Sequence, residues 1–335
     1  MKLLRVLLFP LMPLYYLATW VRNKCFDLGI TRSFSYDTPV VCVGNLSTGG
    51  TGKTPMVEYL IRLLQSECRV AVLSRGYGRH TKGFVLASES KSHLDLGDEP
   101  LQYYLKYKSI TVAVDEKRAH GIETLLKMMP PPEIIVLDDA LQHRHVNAHL
   151  NILLTSYQNP FYEDFILPTG NLREPRSGYK RAGIIVVTKC PNTITNLEKT
   201  AIINKIKPVN GQSVFFSSIQ YSEYAIDDKG NSYLLKSIGP FTLVTGIANP
   251  DPLVHYLQEN NLYFDHVKYS DHHDFSPKNI EELSSKKVIL TTEKDFVRLK
   301  ITTLCQTSAV YYLPIEFALD NQEGFNTQIK KLLVD

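Results

Sequence analysis

The chain is poor in the features that mark a secreted scaffold. Its five cysteines (Cys25, Cys42, Cys68, Cys190, Cys305) are scattered, with no C-x-x-C pair. That pattern excludes a disulfide framework and reads as a reduced, cytoplasmic-facing protein. Charge of one sign is also lacking: the net charge is +3 and no long block of like charges occurs. Charge therefore gives nucleic acid no footprint. No internal repeat or low-complexity segment is present. A membrane-spanning run is missing as well, since a span needs about 20 apolar residues. The N-terminal "MKLLRVLLFPLMPLYYLATWVRNK" is uncharged only from Val6 to Val21, and Pro10 and Pro13 interrupt it. No small-x-small cleavage site follows it, as a signal peptide would require.

What is there is enough for two domains, at 335 residues and 44% hydrophobic. The N-terminal stretch, residues 1–30, is expected to be an interfacial helix rather than a buried core helix. Its Leu, Phe, Tyr and Trp20 side chains suit the acyl boundary, and Lys2, Arg5, Arg22 and Lys24 suit anionic headgroups. From residue 38 onward, apolar runs alternate with helical patterns, which predicts a parallel α/β sheet covered on both faces. Expected strands are 39–45, 69–74, 110–115, 133–139, 150–155, 183–188 and 213–218, forming one nucleotide-type domain over 31–220. Residues 221–235, "YSEYAIDDKGNSYLL", read as a hairpin or linker around a D-K-G-N turn. A smaller α/β lobe is expected over 236–335.

The strongest motif is "GNLSTGGTGKTP", residues 44–55. It ends as a phosphate-binding loop should, although Ser47 stands where the first glycine of G-x-x-x-x-G-K-[ST] belongs. It follows a predicted strand and opens a predicted helix. Ser47, Thr48, Gly49, Gly50, Thr51 and Gly52 would turn backbone N–H groups toward phosphate, Lys53 would reach the β- and γ-phosphates, and Thr54 would hold Mg²⁺. Such a loop needs an acidic strand end beside it. "EIIVLDDALQHRH" supplies Asp138 and Asp139 as the candidate metal-site carboxylates. His143, His145 and His149 lack zinc spacing and a nearby cysteine, so either His143 stands near the phosphates or all three are ordinary surface residues.

Other motifs carry less by themselves. "LGDEPLQYY" puts Asp98 before a helix, where it is either an N-cap or a carboxylate placed to meet an acceptor hydroxyl. Arg75, Arg79, Arg118 and Arg173 sit in predicted βα loops or helix starts, where guanidinium groups clamp phosphate or an anionic substrate. "YSDHHDFS" gathers Asp271, His272, His273 and Asp274 in the second lobe.

In order, "GNLSTGGTGKTP", "SRGYGR", "GDEP", "LDDALQHR", "LPTGNLREP", "DHHDF" and "TTEKD" resemble one family, tetraacyldisaccharide 4′-kinase of lipid A biosynthesis. The resemblance spans nearly the whole chain. It implies a P-loop NTPase-type parallel sheet flanked by helices, a smaller C-terminal α/β lobe and an N-terminal membrane-interface helix. It further implies a kinase at the cytoplasmic face of the bacterial inner membrane. That enzyme moves the γ-phosphate of ATP to the 4′-hydroxyl of a tetraacylated glucosamine disaccharide 1-phosphate, giving lipid IVA. ATP and Mg²⁺ are the implied cofactors, and no nucleic acid or obligate protein partner is implied. By the family's motifs, Asp98 is the base and His272 supports it. Lys53 and Arg173 serve the transferring phosphate, while Arg75, Arg118 and His143 serve substrate. Ala140 stands where the family commonly has glycine, a difference of one methyl group.

Two rivals compete with this reading. A membrane-associated P-loop switch ATPase would carry a signature lysine where Thr48 stands. A GTPase would show N-K-x-D, whereas the chain has "TKCP" at 188–191, without the aspartate.

Overall fold

The computed structural model describes residues 8–300 and 302–334. The first seven residues of the expected anchor, with Lys2, Arg5 and Val6, lie outside the described residues. The chain then makes a short turn, Phe9–Leu11, and a helix, Met12–Asp27.

The continuous apolar runs form strands where a two-faced sheet needs them. In chain order these are β1 (Val40–Asn45), β2 (Val70–Ser74), β3 (Val85–Leu86), β4 (Thr111–Val114), β5 (Ile134–Asp138), β6 (Leu150–Ser156), β7 (Ile184–Thr188) and β8 (Ser213–Tyr221). A smaller set follows: β9 (Tyr224–Asp227), β10 (Ser232–Leu234), β11 (Phe241–Thr245), β12 (Phe264–Lys268), β13 (Val288–Thr292), β14 (Ala309–Leu313) and finally β15 (Ile315–Leu319). The large sheet has nine strands in the order β15-β8-β7-β6-β1-β5-β2-β4-β3. Its interior pairs are parallel, and the edge strands β3 and β15 are antiparallel.

Strand alternation divides the core in two. Val41 and Val43 join one buried cluster, with Met56 and Leu60 of the helix Lys53–Leu64. Val40 and Cys42 face the other way, toward Ile122 and Leu125 of the helix Arg118–Leu126. The first helix lays Met12 and Tyr15 against this second cluster.

The smaller sheet has six strands in the order β10-β9-β14-β13-β11-β12. Residues 221–235 do make the expected hairpin. Asp227 caps its turn by accepting from the Lys229 and Asn231 N–H groups. The hairpin is no free linker, however, because β9 pairs with β14 inside the small sheet.

The expectation of one C-terminal lobe over 236–335 needs a correction. After β14 the chain crosses back, and β15 pairs with β8 at the edge of the large sheet. The last helix, Gln322–Lys331, then buries Phe325 and Ile329 in the large lobe's core. Two antiparallel strands thus cross between the sheets side by side, joined where Ser222 N–H donates to Pro314 O at 3.0 Å.

Candidate active site

The parallel register decides where the chemistry gathers. β1 lies beside β5 with Val43 opposite Asp138, so the phosphate loop and the acidic strand end emerge together. Gly52, at φ +86°, turns the loop into its helix, and a Cβ there would meet Phe317 Cζ at 2.7 Å. Strand β15 therefore underpins the loop from the far end of the sequence. Buried Asn45, the last residue of β1, shapes the loop from beneath. Its Nδ2 donates to Thr51 Oγ1 at 2.9 Å and to Gly49 O at 3.3 Å. Ser47 and Thr48 bridge to the segment 171–172, with Thr48 N–H donating to Asn171 O at 2.7 Å. Gly50 faces the Lys189 ammonium, from which a Cβ would stand 3.8 Å away.

The two aspartates occupy different environments. Asp138 is buried. It accepts from Tyr103 at 3.3 Å on Oδ2, while Oδ1 has no partner among the described residues. Burial first, then the Asp139 and Glu99 charges, push its carboxyl up to about 7. Asp139 takes a left-handed φ of 49°, which turns it to Arg173. The guanidinium donates to both carboxylate oxygens, at 2.7 and 3.1 Å, and Lys53 Nζ lies 3.7 Å away. Burial raises this carboxyl, but Lys53 and Arg173 outweigh burial and hold it below its ordinary value. Arg173 also grips Asn45, at the carbonyl (2.9 Å) and the side-chain oxygen.

A cationic corner adjoins this clamp. Arg118 is 2% exposed; Nη1 donates to Asp115 O at 2.6 Å, while Nε and Nη2 have no partner among the described residues. Burial, followed by the Arg118 and Arg75 charges, lowers His143 to about 4, so its ring is neutral near pH 7. Arg75 itself is exposed. The other two histidines of that stretch go elsewhere. The His145 ring lies 3.1 Å from Arg32 O, and His149 Nδ1 accepts from Val40 N–H at 3.1 Å. Arg79 also leaves the cluster, pairing with Glu116.

Asp98 opens the helix Asp98–Lys106 but does not cap it; Gly97, at φ +88°, holds the cap position, and a Cβ there would strike Tyr77 O at 2.8 Å. The Asp98 carboxylate, 6% exposed, turns instead to the small lobe. Arg298 donates to it in a fork, with Nε at 2.9 Å and Nη2 on the other oxygen. His272, also at a left-handed φ of 57°, donates from Nδ1 at 3.0 Å, and its Nε2 accepts from Lys294 at 2.9 Å. Burial pushes the Asp98 carboxyl up, but His272 and Arg298 prevail and hold it well below the usual carboxylate range. The same helix reaches back to the phosphate loop, because its Tyr103 touches Asp138.

The sequence reading missed several of these groups. Arg298 sits one helical turn after Lys294 in "TTEKDFVRLK", so the i, i+4 spacing was its only signal. Asn45 lies in "GNLSTGGTGKTP", Glu174 in "LPTGNLREP" and Lys189 in "TKCP", but no spacing gave any of them a role.

Residues 4–334 match the family model described as tetraacyldisaccharide-1-P 4′-kinase. A tetraacyldisaccharide 4′-kinase of Flavobacterium johnsoniae is 48% identical, over 98% of this chain and 97% of its own length. One from Phocaeicola vulgatus is 43% identical, over 96% and 93%. Among solved structures, LpxK from Aquifex aeolicus in complex with ATP superposes with a TM-score of 0.80 at 29% identity, covering 98% of this chain and 99% of that one.

Proposed function

Since the chain belongs to the tetraacyldisaccharide-1-P 4′-kinase family, we propose that it transfers the γ-phosphate of ATP to the 4′-hydroxyl of a tetraacylated glucosamine disaccharide 1-phosphate in lipid A biosynthesis. The phosphate loop binds the nucleotide through its N–H groups and Lys53. The acceptor side rests on one observation: Asp98 is a buried carboxylate at the lobe junction, tied by its helix to Asp138 and across the cleft to His272 and Arg298. There it accepts the hydrogen bond of the sugar hydroxyl and takes its proton. So strongly paired a carboxylate is a weak base, but a loose phosphoryl-transfer transition state asks more of position and charge than of basicity. His272 orients the carboxylate. Arg173 brings positive charge to the transferring phosphate, and Arg75, Arg118 and neutral His143 receive anionic groups of substrate.

The residues present fit Mg²⁺. Asp138 Oδ1 is buried with no partner among the described residues, and a hard oxygen beside phosphate and Thr54 is what this cation takes. Asp138 and Thr54 would hold it, and Asp139, whose oxygens Arg173 and Lys53 engage, would stand behind them. When bound, the ion neutralises charge building on the phosphates.

The first helix serves the membrane surface. Among the described residues no helix is long and apolar enough to cross a membrane. Yet Leu14, Leu17, Trp20 and Val21 are all exposed on this one, a surface suited to lying in the headgroup–acyl boundary.

The test is transfer of labelled γ-phosphate from ATP to an acylated disaccharide 1-phosphate in detergent. Release of free phosphate alone, whatever lipid is offered, would overturn the kinase reading. Asp98→Ala should lose turnover by orders of magnitude while still binding ATP; near-normal turnover would remove Asp98 from the reaction.

A further inference from the structure

Three polar side chains of the first helix end on segments that shape the nucleotide site. Tyr15 OH donates to the backbone carbonyl of Arg173 at 3.0 Å. Arg22 donates to the backbone carbonyl of Gln142 at 2.6 Å. Asn23 Nδ2 donates to Glu174 Oε2 at 2.9 Å.

Glu174 is 1% exposed, so its charge depends on its donors. Arg181 donates to both oxygens at 2.8 Å, and Gln142 Nε2 donates at 2.9 Å. The same Gln142 nitrogen donates to Asn45 O at 2.8 Å. Asn45 in turn holds Thr51 and Gly49 of the phosphate loop, and Arg173 holds both Asn45 and Asp139. From Asn23 the path to the loop is continuous: Glu174, Gln142, Asn45, Thr51. An exposed helix that served only as a float would have no reason to aim donors at this path.

We propose that Asn23 and Tyr15 are positioning residues of the nucleotide site, coupling the seating of the first helix to the shape of the phosphate loop and the Arg173–Asp139 clamp. Without the Asn23 amide, Glu174 draws Gln142 toward itself and away from the Asn45 carbonyl. Without the Tyr15 hydroxyl, the Arg173 backbone loses its tether. Both changes loosen the loop from beneath. The assignment of the helix's outward face to a membrane rests on the function proposed above; its inward contacts with the nucleotide site do not.

The experiment uses full-length Asn23→Leu and Tyr15→Phe in detergent, the second variant removing one oxygen and leaving the packing intact. Affinity for ATP and for a non-hydrolysable analogue is measured by calorimetry with Mg²⁺ and without lipid. Flotation with vesicles containing anionic phospholipid is measured separately. Asn23→Leu should weaken nucleotide binding roughly ten-fold, the size of one charge-assisted hydrogen bond, and Tyr15→Phe by a few-fold. Both should float with vesicles as wild type does. Leu17→Glu, on the outward face, should show the reverse: lost flotation with nucleotide affinity retained. Wild-type nucleotide affinity in both inward variants would overturn the proposal, as would flotation lost in parallel with nucleotide binding. If wild type binds ATP but transfers no phosphate to lipid, the kinase reading fails while the nucleotide coupling is still decided.

Discussion

Replacing Arg298 with methionine removes the guanidinium that grips Asp98 across the lobes. Both residues are nearly inaccessible, at 4% and 6% exposure, so solvent screens the pair little. Breaking one partner out of a buried ion pair costs about 3–5 kcal/mol. His272 still donates to the carboxylate in the variant, so the lower figure, about 3 kcal/mol, is the appropriate one. At about 1.4 kcal/mol per unit, that lifts the Asp98 carboxyl by roughly two units, and burial already pushes in the same direction. In wild type the depressed carboxyl keeps its pairing at all pH values above the ordinary carboxylate range and loses it only as pH falls through the depressed value. The variant should therefore lose turnover between about ten- and a hundred-fold near neutrality, evenly across the range above about pH 5, because a carboxyl lifted by roughly two units from so depressed a value still titrates below that range. Arg298→Lys keeps the charge without the fork and should recover part of the loss. The assay is the pH profile of γ-phosphate transfer from about pH 5 to 8.5. Turnover within two-fold of wild type, or a loss confined to the acid end of that range, would refute the reasoning.

Three further outcomes follow from single sites. Asp138 is raised to about 7, so in the ligand-free protein its stabilising protonation is lost as pH rises through that value. Asp138→Asn should abolish that part of the pH dependence of Tm, and an unchanged dependence would remove the assignment. Phe325 is fully buried in the large lobe's core, so Phe325→Ala should cost about 3–5 kcal/mol and lower the large lobe's Tm. A small-lobe transition moving alone would contradict the return of the chain. Gly52→Ala meets both a left-handed φ and Phe317, so adding Phe317→Ala should restore the steric part of the lost stability but not the backbone part, which costs about 1–3 kcal/mol. Strict additivity in that double-mutant cycle would sink the contact.

The parallel sheet was legible because its strands are buried on both faces and read as unbroken apolar runs. The phosphate loop was legible because its glycines and G-K-T ending are local. What the sequence hid was long-range. "IEFAL" at 315–319 looks like any strand, and its pairing with β8, nearly a hundred residues earlier, depends on which lobe's edge is open. Asp98 illustrates the same limit. From sequence it was equally an N-cap or a reacting carboxylate, and Gly97 at the cap position with Arg298 across the cleft removes the first alternative. No local pattern announces a guanidinium arriving from 200 residues away.

The lobe junction sets ion pairs around a small apolar cluster in which Val297 packs with Leu96, Leu101 and Val114, and that mixture suits an amphiphilic acceptor. The helices Asp98–Lys106 and Glu293–Leu299 meet through Asp98–Arg298, through Glu99–Lys294 at 3.3 Å and through Lys106–Glu293 at 2.8 Å. Lys106 also holds Glu58, on the helix that the phosphate loop opens, at 2.7 Å. Buried ion pairs contribute little net stability against water, yet they fix geometry sharply once made. An interface of this kind can open without exposing a large greasy surface, and it closes into one register. On the proposed reading both properties are needed. The acceptor must enter from a bilayer with its acyl chains still solvated by lipid, and water must be gone when the γ-phosphate moves. A purely apolar junction would hold the lobes shut or offer the acyl chains a competing place to bind.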